Sequence, residues 1–197
     1  MIRLFVAIAL PESVRLNLAA LAGGIPGARW IEAQNMHLTL RFIGDIEEGL
    51  AHDIDLSLEA IEAPPFELRL EGIGYFGPAR AARLVHVGVR RSNALNFLHD
   101  KIESAVVRAG LPPDERKFLP HVTLARLKDA PASRVVDFIA DHNLFRAGPI
   151  AVDHFTLFSS FHGRTGPIYR PERIYPLGNP LLSADDLWLP EEDDVRG

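Results

Sequence analysis

The 197-residue chain contains no cysteine. Disulfides, a cysteine nucleophile and any thiolate metal site are therefore excluded, and the composition fits a reducing cytoplasm, the expected location. It also lacks a long apolar run. The stretch MIRLFVAIALPESVR has only a short one, without a signal peptide's cleavage pattern and too short to span a membrane. It reads as a first strand. No GxSxG and no P-loop is present, and Gly72-Ile-Gly74 lacks the third glycine and following helix of a dinucleotide fingerprint. The six histidines His52, His86, His99, His142, His154 and His162 show no metal-ligand spacing with a carboxylate. Neither a metal nor a cofactor is expected.

A basic excess is missing too. The net charge is −5, and it resides in the segment 181–197, where Asp185, Asp186, Glu191, Glu192, Asp193 and Asp194 outnumber Arg196. The segment 1–180 is neutral, with 20 basic and 20 acidic groups. A protein that tracks a long polyphosphate backbone carries a basic excess, so long nucleic acid is not an expected partner, whereas an end or a short piece is compatible. Eighteen of the 21 basic residues are arginine, the side chain suited to bidentate phosphate contacts.

What is present is ordinary globular material, 47% hydrophobic and 24% charged, long enough for a sizeable core. Strands are expected at Arg3–Leu10, His37–Ile43 (ended by Gly44-Asp45), Phe66–Ile73, Arg83–Val89, His121–Leu127, Ile150–Ser159 and Ile168–Leu177. Helices are expected at Glu12–Ala22, Glu47–Ile61, Ser92–Ala109 with Ser92 as cap, and Ala132–Asp141. Tyr75-Phe76-Gly77-Pro78 reads as a turn. The order strand-helix-strand-helix-strand-strand recurs from about residue 84, a weak internal repeat. An α+β fold with two similar lobes is the simplest reading. Residues 1–180 form the expected single domain, and 181–197 an acidic mobile tail.

The repeat has one sharp feature. HLTL at 37–40 returns as HVTL at 121–124, too far along the chain for a local contact. Side chains at i and i+2 of a strand share a face, so His37 goes with Thr39 and His121 with Thr123, each pair backed by aliphatics. A pseudo-twofold would bring the four polar groups into one cleft. Two opposed imidazoles suit in-line displacement at phosphorus without a metal. One takes a proton from water, the other gives one to the leaving alkoxide, and the hydroxyls hold a ring or donate to a phosphate oxygen.

Five stretches sharpen this: RLFVAIALP at 3–11, NMHLTLRFIGD at 35–45, the 74–89 hairpin with YFGPARAARLVHVGV, FLPHVTLAR at 118–126, and FTLFSSFHGRTGPIYRPERIYPL at 155–177. In these the chain resembles the two-histidine phosphoesterases, and within them the RNA 2′,3′-cyclic phosphodiesterase family, also called 2′-5′ RNA ligases. The resemblance implies a bilobal α+β fold, two pseudo-symmetric lobes of antiparallel sheet with helices outside and the site in the groove between them. It implies metal-independent hydrolysis of a 2′,3′-cyclic phosphate to a 2′-phosphomonoester, and reversible 2′-5′ ligation of RNA ends. By motif position His37 would be the general acid and His121 the general base, with Thr39 and Thr123 on the phosphate. RNA ends or nucleotide 2′,3′-cyclic phosphates are the expected partners, and a monomer the expected state. An RNA-end binding protein, or a phosphodiesterase acting on 2′-5′ oligoadenylate or an ADP-ribose cyclic phosphate, are the alternative functions.

Four further residues are candidates for substrate binding. Arg126 follows the second motif as in the family, but strict alternation from His121 runs 121, 123, 125, so it reaches the groove only if the strand ends or bulges first. Arg41 has the right parity with His37 and Thr39. Phe118 and Tyr169 could stack on a base. Phe42 falls on the Leu38–Leu40 face and reads as core. The loop HGRTGPIYR could approach a phosphate through amides at Gly163 or Gly166.

Overall fold

A computed structural model describes residues 1–163 and 166–178, so the expected 181–197 tail lies outside the described residues. The described residues form nine strands and four α-helices. The first part holds β1 (Ile2–Ala9), α1 (Glu12–Ala19), β2 (Ala28–Trp30), β3 (His37–Ile46), α2 (Glu48–Glu59) and β4 (Phe66–Phe76). The second holds β5 (Leu84–Val89), α3 (Asn93–Arg108), β6 (His121–Leu127), α4 (Ala132–His142), β7 (Arg146–Val152), β8 (His154–His162) and β9 (Pro167–Pro176).

The strands pair antiparallel in the order β7-β4-β5-β6-β3-β1-β8-β9, with β2 joining β6. This sheet divides at its middle. On one side of the seam β3 leads a four-stranded half, β3-β1-β8-β9; on the other β6 leads β6-β5-β4-β7. The ladder across the seam is a single paired position, Leu38 opposite Val122, so the two half-sheets are joined at one position rather than along a full ladder.

The expected repeat from about residue 84 coincides with the start of β5 at Leu84. The order β1-α1-β3-α2 is repeated as β5-α3-β6-α4. The strand after α2, β4, crosses over to pair with β5, while β8, later in the second repeat, returns to pair with β1. Each lobe is thus built from both halves of the chain.

The core lies beneath the sheet. Leu38, Leu40, Val122 and Leu124 from the seam strands are buried with Ile54 and Leu58 of α2 and Leu95, Leu98 and Ile102 of α3. Each such side chain contributes about 1.5–3 kcal/mol on burial. Ser92 caps α3 as expected, accepting from the Leu95 amide at 3.3 Å.

Four local expectations need correction. The first helix stops at Ala19, not Ala22. Gly44-Asp45 does not end β3: Gly44 takes φ +89°, and the strand continues to Ile46 through a shift in its pairing with β1. Tyr75 and Phe76 belong to β4, and the turn begins only at Gly77, whose φ is +105° and where a Cβ would lie 2.9 Å from the Ala81 carbonyl oxygen. The single strand expected at Ile150–Ser159 is two strands with Asp153 alone between them. Consecutive Cα atoms are only about 3.8 Å apart, so the sheet must curve until β7, at one edge, and β8, next to the other, nearly meet. Alternation runs through both and hides that break. Among the described residues no helix is long and apolar enough to cross a membrane.

Candidate active site

The seam brings the two motifs together. Leu38 faces Val122 in antiparallel register, and extending that register by one residue each way sets His37 across from Thr123 and Thr39 across from His121. All four are half-buried, while their neighbours Leu38, Leu40, Val122 and Leu124 are buried beneath.

Each imidazole is held the same way. Nδ1 of His37 lies 2.8 Å from the Asn35 carbonyl oxygen, and Nδ1 of His121 lies 2.7 Å from that of Leu119. A carbonyl can only accept, so each Nδ1 carries the proton and donates. Each Nε2 is left as the nitrogen that can exchange a proton with a ligand. Burial is the main force lowering both rings' basicity. His37 is pushed down to about 4, by burial first and then by the charges of His121 and Arg126, against the Asn35 carbonyl. His121 is also lowered.

The strands bulge at matching places. In β3, Ala7 pairs with Thr39 and Val6 with Arg41, leaving Leu40 extra. In β6, His86 pairs with Thr123 and Val85 with Ala125, leaving Leu124 extra. A bulge turns the residues beyond it to the opposite face. Arg126 consequently joins His121 and Thr123 on the groove face, exposed and with its charge acting on His37 and Tyr169.

The matching bulge in β3 removes Arg41 from the site. Expected beside His37, it is 9% exposed on the core side. Its Nε lies 2.5 Å from Glu103 of α3, and its two Nη groups donate to the Phe42 and Pro112 carbonyl oxygens, each at 2.7 Å. Phe42, expected in the core, takes the groove face instead and is 48% exposed.

Phe118 is likewise not brought to the groove, because its ring stacks on His99 of α3 at 3.9 Å. Tyr169 is brought there, edge-on to His37 at 5.2 Å and to Phe5 at 5.0 Å. The Gly163 amide is spent on the Gly166 carbonyl at 2.9 Å.

Three neighbours escaped the sequence reading. Phe5 packs 4.8 Å from His37, and Phe76 lies 4.8 Å from His121. His86 lies 5.4 Å from His121 and 4.4 Å from Phe76, over Gly74, where a Cβ would come within 2.9 Å of its ring. It is pushed down to about 4, by burial first and then by the charge of His121. The alternation in LVHVGV, which sets His86 opposite buried Val85 and Val87, was the available signal.

The chain resembles known proteins throughout. The family model described as 2′-5′ RNA ligase superfamily matches residues 11–163. An RNA 2′,3′-cyclic phosphodiesterase of Aeropyrum pernix is 35% identical over 151 residues, 75% of this chain and 84% of its own. One of Thermotoga maritima is 32% identical over 174 residues, covering 85% and 91%. Among solved structures, Escherichia coli LigT complexed with 3′-AMP superposes with a TM-score of 0.74 at 30% identity, over 90% of this chain and 99% of that one.

Proposed function

The chain belongs to the 2′-5′ RNA ligase superfamily, and from that premise we propose that it is an enzyme hydrolysing 2′,3′-cyclic phosphate at RNA or nucleotide ends. The observation that carries the reading is the seam itself. Two imidazoles with Nδ1 tied to a carbonyl and Nε2 free share one face with two threonines and Arg126.

In the proposed reaction a neutral histidine takes a proton from water as the water oxygen bonds to phosphorus. The P–O3′ bond breaks on the far side, and the protonated histidine delivers its proton to O3′, leaving a 2′-phosphomonoester. Thr39, Thr123 and the Arg126 guanidinium stabilise the charge building on the non-bridging oxygens. Tyr169 flanks the ribose or base. The family's order makes His37 the acid and His121 the base. Burial and the charge of Arg126 lower His37 in the empty groove, and a bound phosphate, by pairing with Arg126 and facing His37 with an anion, favours the protonated ring there. The same two groups in reversed roles would support 2′-5′ ligation. No step in this scheme calls on a metal. In this reading residues 1–180 act as one bilobal domain, working as a monomer.

The test is incubation with nucleoside 2′,3′-cyclic phosphates and short cyclic-ended RNAs, with the product isomer identified by phosphorus NMR. A 2′-phosphomonoester formed in the presence of EDTA is expected. No turnover, a 3′-phosphomonoester, or loss of activity with EDTA would sink the proposal.

A further inference from the structure

Beyond His121 the groove face of the second lobe ends in arginines that the reaction does not use. Leu70 and Val89 are partners in the β4–β5 ladder, and the Arg90 amide donates to the Arg69 carbonyl at 2.9 Å, which extends the ladder by one pair. Leu70 is buried in the core, so Arg69 and Arg90 point the other way, to the side of Gly88, the partner of His121. Two guanidiniums directly across a ladder destabilise it. With Glu67, Arg91 and Ser92 they line an open pocket of about 270 Å³.

The pocket is under-neutralised. Glu67 lies 3.5 Å from Arg69 in a largely exposed pair, and neither Arg90 nor Arg91 has an ion-pair partner among the described residues. Ser92 also caps the 16-residue α3, whose N-terminal dipole adds positive potential at the same spot. Across a segment, 1–180, that balances 20 basic against 20 acidic groups, this is a local device.

The first lobe has no counterpart. Ala9 pairs with His37 as Gly88 pairs with His121. Counting on from those two, Pro11 stands where the second lobe has Arg90, and Glu12 where it has Arg91. The asymmetry gives a bound strand a direction.

We propose that Arg69, Arg90 and Arg91 hold a backbone phosphate of an RNA single strand upstream of its cyclic end, so that short strands are better substrates than mononucleotides. The proposal rests on the cyclic-phosphodiesterase reading above. Rates are compared for a nucleoside 2′,3′-cyclic phosphate and for a short RNA ending in one. Arg90→Ala and Arg91→Ala should each lower kcat/KM for the RNA about tenfold, the worth of one charge-assisted hydrogen bond, and leave the mononucleotide rate unchanged. The slope of log(kcat/KM) against log salt for the RNA should flatten by about 0.7 for each guanidinium removed. Equal effects on both substrates, or an unchanged slope, would overturn the pocket. A parallel arm measures binding of the same RNA ending in a 2′-phosphate by fluorescence anisotropy. If neither substrate turns over, the enzymatic reading fails, and this arm still decides the pocket: a flattened slope in the variants upholds it and an unchanged one overturns it.

Discussion

At matching positions of the repeat, β3 and β6 carry His37 and His121, Thr39 and Thr123, then a bulge at Leu40 and at Leu124. Past the bulge they part. The buried position is Arg41 in one and Ala125 in the other; the groove position is Phe42 in one and Arg126 in the other. The backbone device is duplicated and its cargo is not. Symmetric geometry supplies two similarly held imidazoles, the proton carriers of the proposed reaction, and the asymmetric residues beyond the bulges put the guanidinium on one side and the aromatic surface on the other.

The largest effect should come from breaking the symmetric part. His37→Ala and His121→Ala are each expected to lower kcat by about 10²–10⁴, the usual worth of a general acid or base, with the fold retained. A p-nitrophenyl phosphodiester then separates the two, because its leaving group needs no proton. The variant lacking the acid should recover on it and the variant lacking the base should not. Recovery of His37→Ala supports the family's order; recovery of His121→Ala reverses it. The pH dependence sharpens this. Both rings are lowered from 6.5 in the empty groove, so the bell in kcat/KM should sit on the acid side of that in kcat, where a bound anion raises both rings. Coincident bells would count against the proposed phosphate position.

Next is the buried guanidinium. Arg41→Ala takes from the partly buried Glu103 its ion-pair partner and leaves it only the Asp114 amide at 2.8 Å, a loss worth about 1.5–3 kcal/mol, that of a hydrogen bond to a charged group. The urea midpoint should fall accordingly, while kcat/KM of the folded fraction stays near wild type. A tenfold loss of activity without loss of stability would return Arg41 to the groove. Arg126→Ala should do the reverse, losing about 10- to 100-fold in kcat/KM, the worth of a hydrogen bond to a charged group, at nearly constant stability.

These two arginines also show how far the sequence could be read. The duplicated motif, the α+β lobes and the repeat from residue 84 follow from alternation and spacing, which are local. The bulges do not. One extra residue in a strand leaves the letters unchanged and reverses every later side chain. Strict parity therefore placed Arg41 in the groove, Phe42 in the core and Arg126 in doubt, and the structure reverses the first two and brings Arg126 to the groove face. The break at Asp153 was hidden for a related reason, since a crossing between lobes is a tertiary event in a locally continuous strand pattern. Phe118 was misjudged because its partner, His99, lies on a helix remote in sequence.

Phe42 offers a smaller test of the same comparison. A base stacked on an exposed ring is worth about 1–3 kcal/mol, so Phe42→Ala should raise KM for cyclic-ended RNA without changing kcat. An unchanged KM would make the first lobe's exposed aromatic a bystander.

The smallest effect concerns His86, which pairs with Thr123 as Ala7 pairs with Thr39. His86 is held down to about 4 in the fold, against about 6.5 in an unfolded chain. As pH falls through 6.5 the unfolded chain takes up the proton and the folded one does not, so stability is fully present above 6.5 and drains away toward 4. His37 drains it in the same direction. His86→Ala, which copies the first lobe, should therefore flatten part of the fall in urea midpoint between pH 7 and pH 4.5 while leaving the contributions of His37 and His121. A slope identical to wild type would mean that the ring over Gly74 titrates freely, and that the two lobes differ there in shape but not in charge.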